Sequence, residues 1–316
     1  MTLTLLLDNL LSASVIAFVV AVIATLARFD LRLPDALPAI LSAYLLFAIG
    51  LKGGRSLAES TLSDLVFPVI IAVLIGIATP IISWAVLRSF VRLNNIDAAG
   101  IAAHYGSVSA VTFVVVLATL DAQGMFYEGF VAGLLAILEV VGIVVGLALA
   151  RSSGSSLKNV LAEVTRGRSI ALLLGGILIG AVVGDARLAP TDLVFVGLFN
   201  GALTLFLLEM GRLAGERLRE VVQAGWRLIA AAIALPLING TIGAGLGALS
   251  GLSTGGIAVL ATLAASASYI AAPAAVRIAL PEANPALSIT TALGVTFPFN
   301  ITLGIPFYIA LAQWLS

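Results

Sequence analysis

The chain has no cysteine, a single histidine and little charge, only 10% of its 316 residues. Without cysteine it has no disulfide, no thiolate metal site and no cysteine nucleophile, and one imidazole makes no cluster of histidine ligands. Sixteen Lys and Arg balance sixteen Asp and Glu, so the basic field that nucleic acid requires is missing as well. What the chain has in abundance is apolar surface: 61% of positions, with a mean hydropathy of +1.17. A soluble domain is about half apolar and about 25% charged. Apolar stretches this long and numerous exceed the needs of one soluble core and fit lipid as their solvent.

A helix needs about 20 mostly apolar residues to cross hydrocarbon. Ten stretches of that kind lie between charged or Pro/Gly-rich punctuation, near 10–27, 37–51, 65–88, 96–119, 127–150, 169–184, 190–211, 225–248, 254–278 and 286–314. The expected fold is an all-α integral membrane protein of ten transmembrane helices. Alternating the connections puts thirteen Lys and Arg on one side, among them Arg28, Arg88, Arg151, Arg212 and Arg277, and only Lys52, Arg55 and Arg187 on the other. By the positive-inside rule the first side is cytoplasmic. The expected location is the cytoplasmic (inner) membrane, crossed many times, with both termini extracytoplasmic.

Self-comparison finds a recurrence at an offset of 161 residues. Gly50, Gly54, Leu57 and Glu59 fall on Gly211, Gly215, Leu218 and Glu220, Ser107 falls on Ser268, Ser109 on Ile270, and Glu139 on Asn300. Each half then holds five spans, an odd number, so the second copy sits inverted in the bilayer. The expected organisation is a first five-helix repeat over 1–150, a cytoplasmic linker over 151–168 and an inverted second repeat over 169–316. Inverted repeats mark secondary transporters, whose sites lie near the midplane where two interrupted helices meet. Irregular backbone at that depth is tolerated only where protein or a water-filled cavity satisfies it.

Two segments are polar enough to hold such a site. One is His104-Tyr105-Gly106-Ser107-Val108-Ser109-Ala110-Val111-Thr112, and the other is Ala265-Ser266-Ala267-Ser268-Tyr269-Ile270-Ala271-Ala272-Pro273. Gly106 loosens one helix and Pro273 removes a donor from the other, so each span has cause to break. Facing half-helix amino termini would bring free N–H groups and partial positive charge, a site for a small anion. The candidate anion-binding residues are Gly106, Ser107, Val108, Ser109, Ser266, Ala267, Ser268 and Tyr269. Each serine alone also fits a plainer role, bonding its own helix carbonyl or easing helix packing. Glu139 lies mid-span among Leu138, Val140 and Val141, where an ionised carboxylate costs ~3 kcal/mol or more. It needs a cation, a proton or a polar partner, and Glu139, Thr112 and Asn300 form the candidate sodium region. A Ser107–His104 pair of an intramembrane hydrolase lacks an identifiable oxyanion hole and orienting group. No enzyme activity, catalytic residue or cofactor is expected, sodium entering only as a coupling ion.

Taken with Leu33-Pro34-Asp35-Ala36, Ile49-Gly50-Leu51-Lys52-Gly53-Gly54 and Pro281-Glu282-Ala283-Asn284-Pro285, the run Gly106-Ser107-Val108-Ser109 makes the sequence resemble the sodium-dependent bicarbonate transporter family, the SbtA-like permeases, over nearly its whole length. The resemblance implies ten helices in two inverted repeats, a homotrimer, and sodium-coupled bicarbonate import by movement of a core domain against a gate domain. It implies anion binding between the crossing interrupted helices, at Gly106, Ser107, Ser109, Ser266 and Ser268, and a PII-like regulator on the cytoplasmic face of some members. Glu139 stands where the family carries an aspartate. The family motif Ser-Asp-Ile-Ser-Gly-Pro reads Ser268-Tyr269-Ile270-Ala271-Ala272-Pro273 here, which removes a hard oxygen ligand and a hydroxyl. A carrier of another small anion such as a monocarboxylate, proton-coupled through Glu139, is the alternative.

Overall fold

A computed structural model describes residues 3–34, 36–57, 62–150, 161–162, 164–221 and 225–316. Among these residues the fold is helical, with no strand. Helices α1 (Leu3–Leu10), α2 (Ala13–Leu26), α3 (Ala36–Leu57), α4 (Leu62–Val86), α5 (Asn95–Gly106), α6 (Ala110–Ala122) and α7 (Val131–Ala148) make up the first half. In the second half come α8 (Arg168–Val183), α9 (Phe199–Val221), α10 (Trp226–Leu249), α11 (Thr254–Ala265), α12 (Ala271–Ala279) and the long α13 (Pro285–Leu315), which contains two π-helical turns. Most of the expected linker, residues 151–160, lies outside the described residues, as does Glu59.

By length and apolarity six helices are able to cross a membrane. Two bent pairs, Thr4–Leu10 with Ala13–Leu26 at 62° and Arg168–Val183 with Asp185–Thr191 at 116°, raise the number to eight if each is one span. That is a multi-pass membrane protein, and the difference from the ten expected stretches has physical causes. Helix α9 carries Glu209, Arg212, Glu216, Arg217 and Glu220, joined by ion pairs of 2.6–2.8 Å one turn apart. Helix α11 has only 12 residues because the stretch 254–278 is broken. The seventh span also begins later than expected, at Phe199 instead of 190. Gly184 ends α8 with φ +75°, and Pro190 lies in the short helical turns that follow it.

Two helix pairs are held by glycine. The Gly50-xxx-Gly54 face of α3 packs on the Gly176-xxx-Gly180 face of α8, where a methyl on Gly50 would reach 3.0 Å from Gly176 Cα and one on Gly54 would overlap Ile177 O. Gly211 and Gly215 of α9 pack in the same way on Phe18, Ala21 and Thr25 of α2. Lipid tails compete for apolar side chains, so close backbone approach between small residues is what drives such pairing in a membrane. The recurrence at 161 residues therefore marks equivalent packing roles: each Gly-xxx-Gly meets a helix from the other half of the chain.

Two prolines inside spans, Pro236 and Pro306, free carbonyls for which the fold supplies donors. Pro236 gives no N–H to Ala232 O, and Thr296 Oγ1 donates to that oxygen at 2.7 Å. Pro306 similarly frees Thr302 O, which together with Ile301 O accepts from Asn9 Nδ2 at 3.1 and 2.8 Å. These donors let kinked and π-helical backbone persist where water is absent.

Candidate functional site

Helix α5 starts on an Asn94 cap, whose side chain accepts from Asp97 N, and α11 starts on a Ser253 cap accepting from Gly256 N. Both run 12 residues and end on a serine in extended conformation, Ser107 with φ −78° and ψ 171° and Ser266 with φ −84° and ψ 162°. The breaks therefore match from 107 to 266, an offset of 159 residues. Locally Ser107 corresponds to Ser266 and Ser109 to Ser268, two residues away from the register of the glycine motifs.

The breaks are joined by one backbone-to-side-chain and one backbone-to-backbone hydrogen bond. Ser109 N donates to Ser266 Oγ at 2.8 Å, and Ser268 N donates to His104 O at 2.8 Å. Each extended segment so supplies the other with partners that an unbroken helix would have provided. Ser109 Oγ then caps α6 by accepting from Thr112 N at 3.2 Å, and Ser268 Oγ accepts from Ala272 N at 3.2 Å at the start of α12. Gly106 must be glycine. A methyl there would lie 2.7 Å from both Gly142 O and Pro80 Cβ, and one on Gly142 would overlap Gly106 O.

Ala110 and Ala271, the first residues of α6 and α12, line one small, partly open pocket with Val108, Ser109, Glu139, Ser169, Ser268, Tyr269 and Ile270. Its free space is about 10 Å³, the room of roughly one water. Two helix amino termini thus point their partial positive charge at a space that also receives the Glu139 carboxylate. Glu139 is 2% exposed and its Oε1 has no hydrogen-bond partner. The same holds for Tyr269 Oη, Ser107 Oγ, Thr112 Oγ1 and His104 Nε2. Buried polar atoms rarely go unpaired, so five around one crossing are a strong sign of a place for guests.

Of the expected site residues, the cavity gathers Val108, Ser109, Ser268, Tyr269 and Glu139. Gly106, Ser107, Thr112, Ser266, Ala267 and Asn300 are outside its lining. Ser107 and Thr112 keep free hydroxyl oxygens nearby in sequence, whereas Ala267 packs into an apolar cluster with Tyr105 and Leu235. Asn300 donates to Ala265 O at 2.9 Å and accepts from Tyr308 Oη at 3.0 Å, holding the last carbonyl of α11. Tyr269 rests its ring edge-on against Phe297, 5.4 Å between centroids. Sequence reasoning missed Ser169, in the first turn of α8, because nothing in its local pattern distinguishes it from other helix-start serines. No group of three or more His, Cys, Asp or Glu able to hold a metal occurs among the described residues.

Apolar spans enclosing a crossing of broken helices, with unpaired buried polar side chains around it, define a multi-pass membrane protein. The chain belongs to the Na+-dependent bicarbonate transporter superfamily, whose family model matches residues 13–313. No curated protein matches it. The family consists of transporters, not enzymes, which leaves Ser107 and His104 without a hydrolytic role.

Proposed function

We propose that this protein imports bicarbonate together with sodium, the anion held between the amino termini of α6 and α12 and the cation beside Glu139. The observation that carries this reading is the small pocket at the crossing, which brings two helix amino termini and one unpartnered carboxylate together and must widen to admit the ions. The anion accepts from the free N–H groups at the starts of α6 and α12, with Ser109 and Ser268 in reach. Sodium is neutralised by Glu139, and Thr112 Oγ1, buried and without a hydrogen-bond partner, is a further candidate ligand. Opposite charges bound together reduce the cost of holding either in low dielectric.

The matched caps, breaks and glycine faces support two inverted five-helix repeats that make up ten spans. In this reading the glycine-zipped helices α2, α3, α8 and α9 are the static gate, and the broken helices with α4, α7, α10 and α13 are the core that carries the ions past it. The homotrimer, the inner-membrane location with the Arg-rich connections in the cytoplasm, and a PII-like cytoplasmic partner complete the proposal on the strength of the resemblance. The family favours this assignment over a proton-coupled monocarboxylate carrier.

The test is uptake of radiolabelled bicarbonate into proteoliposomes, with an inward sodium gradient compared against choline at matched pH. Sodium-dependent accumulation above the passive carbon dioxide background is expected. A folded preparation that accumulates nothing would reject bicarbonate as the cargo.

A further inference from the structure

A second group of buried polar side chains lies on α4 and α10, beside the ends of both half-helices, and the mechanism above does not use it. Thr79 and Ser83, one turn apart on α4, are 1% and 0% exposed, and Asn239 of α10 is 0% exposed. Asn239 Nδ2 donates to Ser83 Oγ at a long 3.5 Å, while Asn239 Oδ1 has no partner. Thr79 Oγ1 gives its proton to Ile75 O at 2.9 Å, which leaves its lone pairs free to accept. Pro80 sits between the two hydroxyl residues and has no N–H, so Gly76 O loses its usual helical donor. Residues 76, 79 and 83 recur at helical spacing on one face. The result is a row of neutral oxygen acceptors on α4 beside a buried amide oxygen that lacks a donor.

We propose that Thr79, Ser83 and Asn239 bind a second sodium ion, beside the ends of both half-helices and separate from the Glu139 cavity. Sodium is a hard monovalent cation, and neutral hydroxyl, amide and carbonyl oxygens hold such an ion without the excess charge that a carboxylate cluster would bring. None of these residues lines the Glu139 cavity. The site nevertheless touches both breaks through its neighbours. The Pro80 ring packs on Gly106, and Gly240, next to Asn239, packs on Ala265 and Tyr308. An ion bridging α4 and α10 therefore braces the ends of both half-helices before the anion arrives. The inference rests on the sodium dependence of the proposed function, with Glu139 at the other site.

The experiment is equilibrium binding of radioactive sodium to the purified full-length protein in nanodiscs, without bicarbonate, so that its outcome does not depend on the cargo. Wild type is expected to bind two ions per chain, Asn239→Leu one, Glu139→Gln one, and the double variant none. Ser83→Ala, which changes little volume, is expected to weaken one of the two sites by about tenfold with the melting temperature maintained, and it decides the matter if Asn239→Leu does not fold. Wild-type stoichiometry and affinity in both Asn239→Leu and Ser83→Ala would overturn the proposal and leave a trapped water only. A single ion in wild type, lost in Glu139→Gln, would overturn it too. Loss of one ion in Asn239→Leu alongside failure of bicarbonate uptake would uphold this site while rejecting the cargo.

Discussion

Ser107 and Ser266 end their half-helices with nearly the same dihedral angles, yet the two breaks are completed differently. At the second, the terminal carbonyl of Ala265 is claimed by Asn300, itself oriented by Tyr308. At the first, the carbonyl of Gly106 lies against the bare backbone of Gly142, and the polar atoms around it, Ser107 Oγ, Thr112 Oγ1 and Glu139 Oε1, are left unpaired. One break has its terminal carbonyl capped by a side chain and the other does not. The two breaks thus share a backbone geometry, while only the first has a buried, unpartnered carboxylate beside it.

The largest effect should come from closing the first break. Gly142→Ala sets a methyl into Gly106 O, a backbone clash that no rotamer relieves, and should cost about 3 kcal/mol or more, read as loss of the folded fraction in detergent. A change against the end of the second half-helix, Gly240→Ala on α10, meets the edge of the Tyr308 ring and Ala265 Cβ. A ring can shift, so it should cost clearly less. Gly133→Ala, with nothing within 4 Å, is the neutral control. Equal losses for Gly142→Ala and Gly240→Ala would mean that the breaks are packed alike after all.

Next in size is Glu139→Gln. Removing the charge while keeping the shape should relieve the burial cost, leaving stability equal or higher, and should abolish sodium activation of transport. Retained sodium activation would remove the carboxylate from the coupling. Asn300→Ala should behave in the opposite way. It orphans both Ala265 O and Tyr308 Oη, at about 2–3 kcal/mol together, and should lower the melting temperature before it changes the sodium dependence of whatever protein still folds.

Much of this contrast was legible in the residues. The Gly50-xxx-Gly54 and Gly211-xxx-Gly215 motifs recur at one offset because helix pairing in lipid depends on small residues at fixed spacing, and a spacing of four survives in sequence. The breaks were visible because hydroxyls and glycine are conspicuous inside apolar runs. Their register was not. The connections before the broken helices differ in length, so an offset carried over from the glycine faces placed Ser107 on Ser268, whereas the backbone pairs it with Ser266. The role of Asn300 was hidden for a related reason: its partner Ala265 O is a backbone atom, and no side-chain pattern announces which carbonyl a break will orphan. The start of α9 was obscured because residues 190–198 are as apolar as a span but run through short turns after Gly184.

The serine caps give a finer comparison. Ser109 Oγ accepts from Thr112 N and Ser268 Oγ from Ala272 N, so each alanine replacement removes one cap bond, worth about 1 kcal/mol. If both also face the anion, Ser109→Ala and Ser268→Ala should raise the bicarbonate KM by similar factors. A change in only one would put the anion off the midline, nearer the break whose serine matters.

The smallest expected effect isolates the capped break. Tyr308→Phe removes the donor to Asn300 Oδ1 and leaves that acceptor buried without a partner, at about 1 kcal/mol. Asn300 Nδ2 still reaches Ala265 O, but nothing then fixes which face of the amide does so, and rotation would bring an oxygen against the carbonyl. A modest fall in melting temperature with unchanged sodium and bicarbonate affinities is expected, because the ring itself remains packed between Gly240 and Gly304. A shift in sodium affinity instead, measured on the same preparation, would show that the second break also answers to the cation and that the division of labour between the two is less complete than their hydrogen bonds imply.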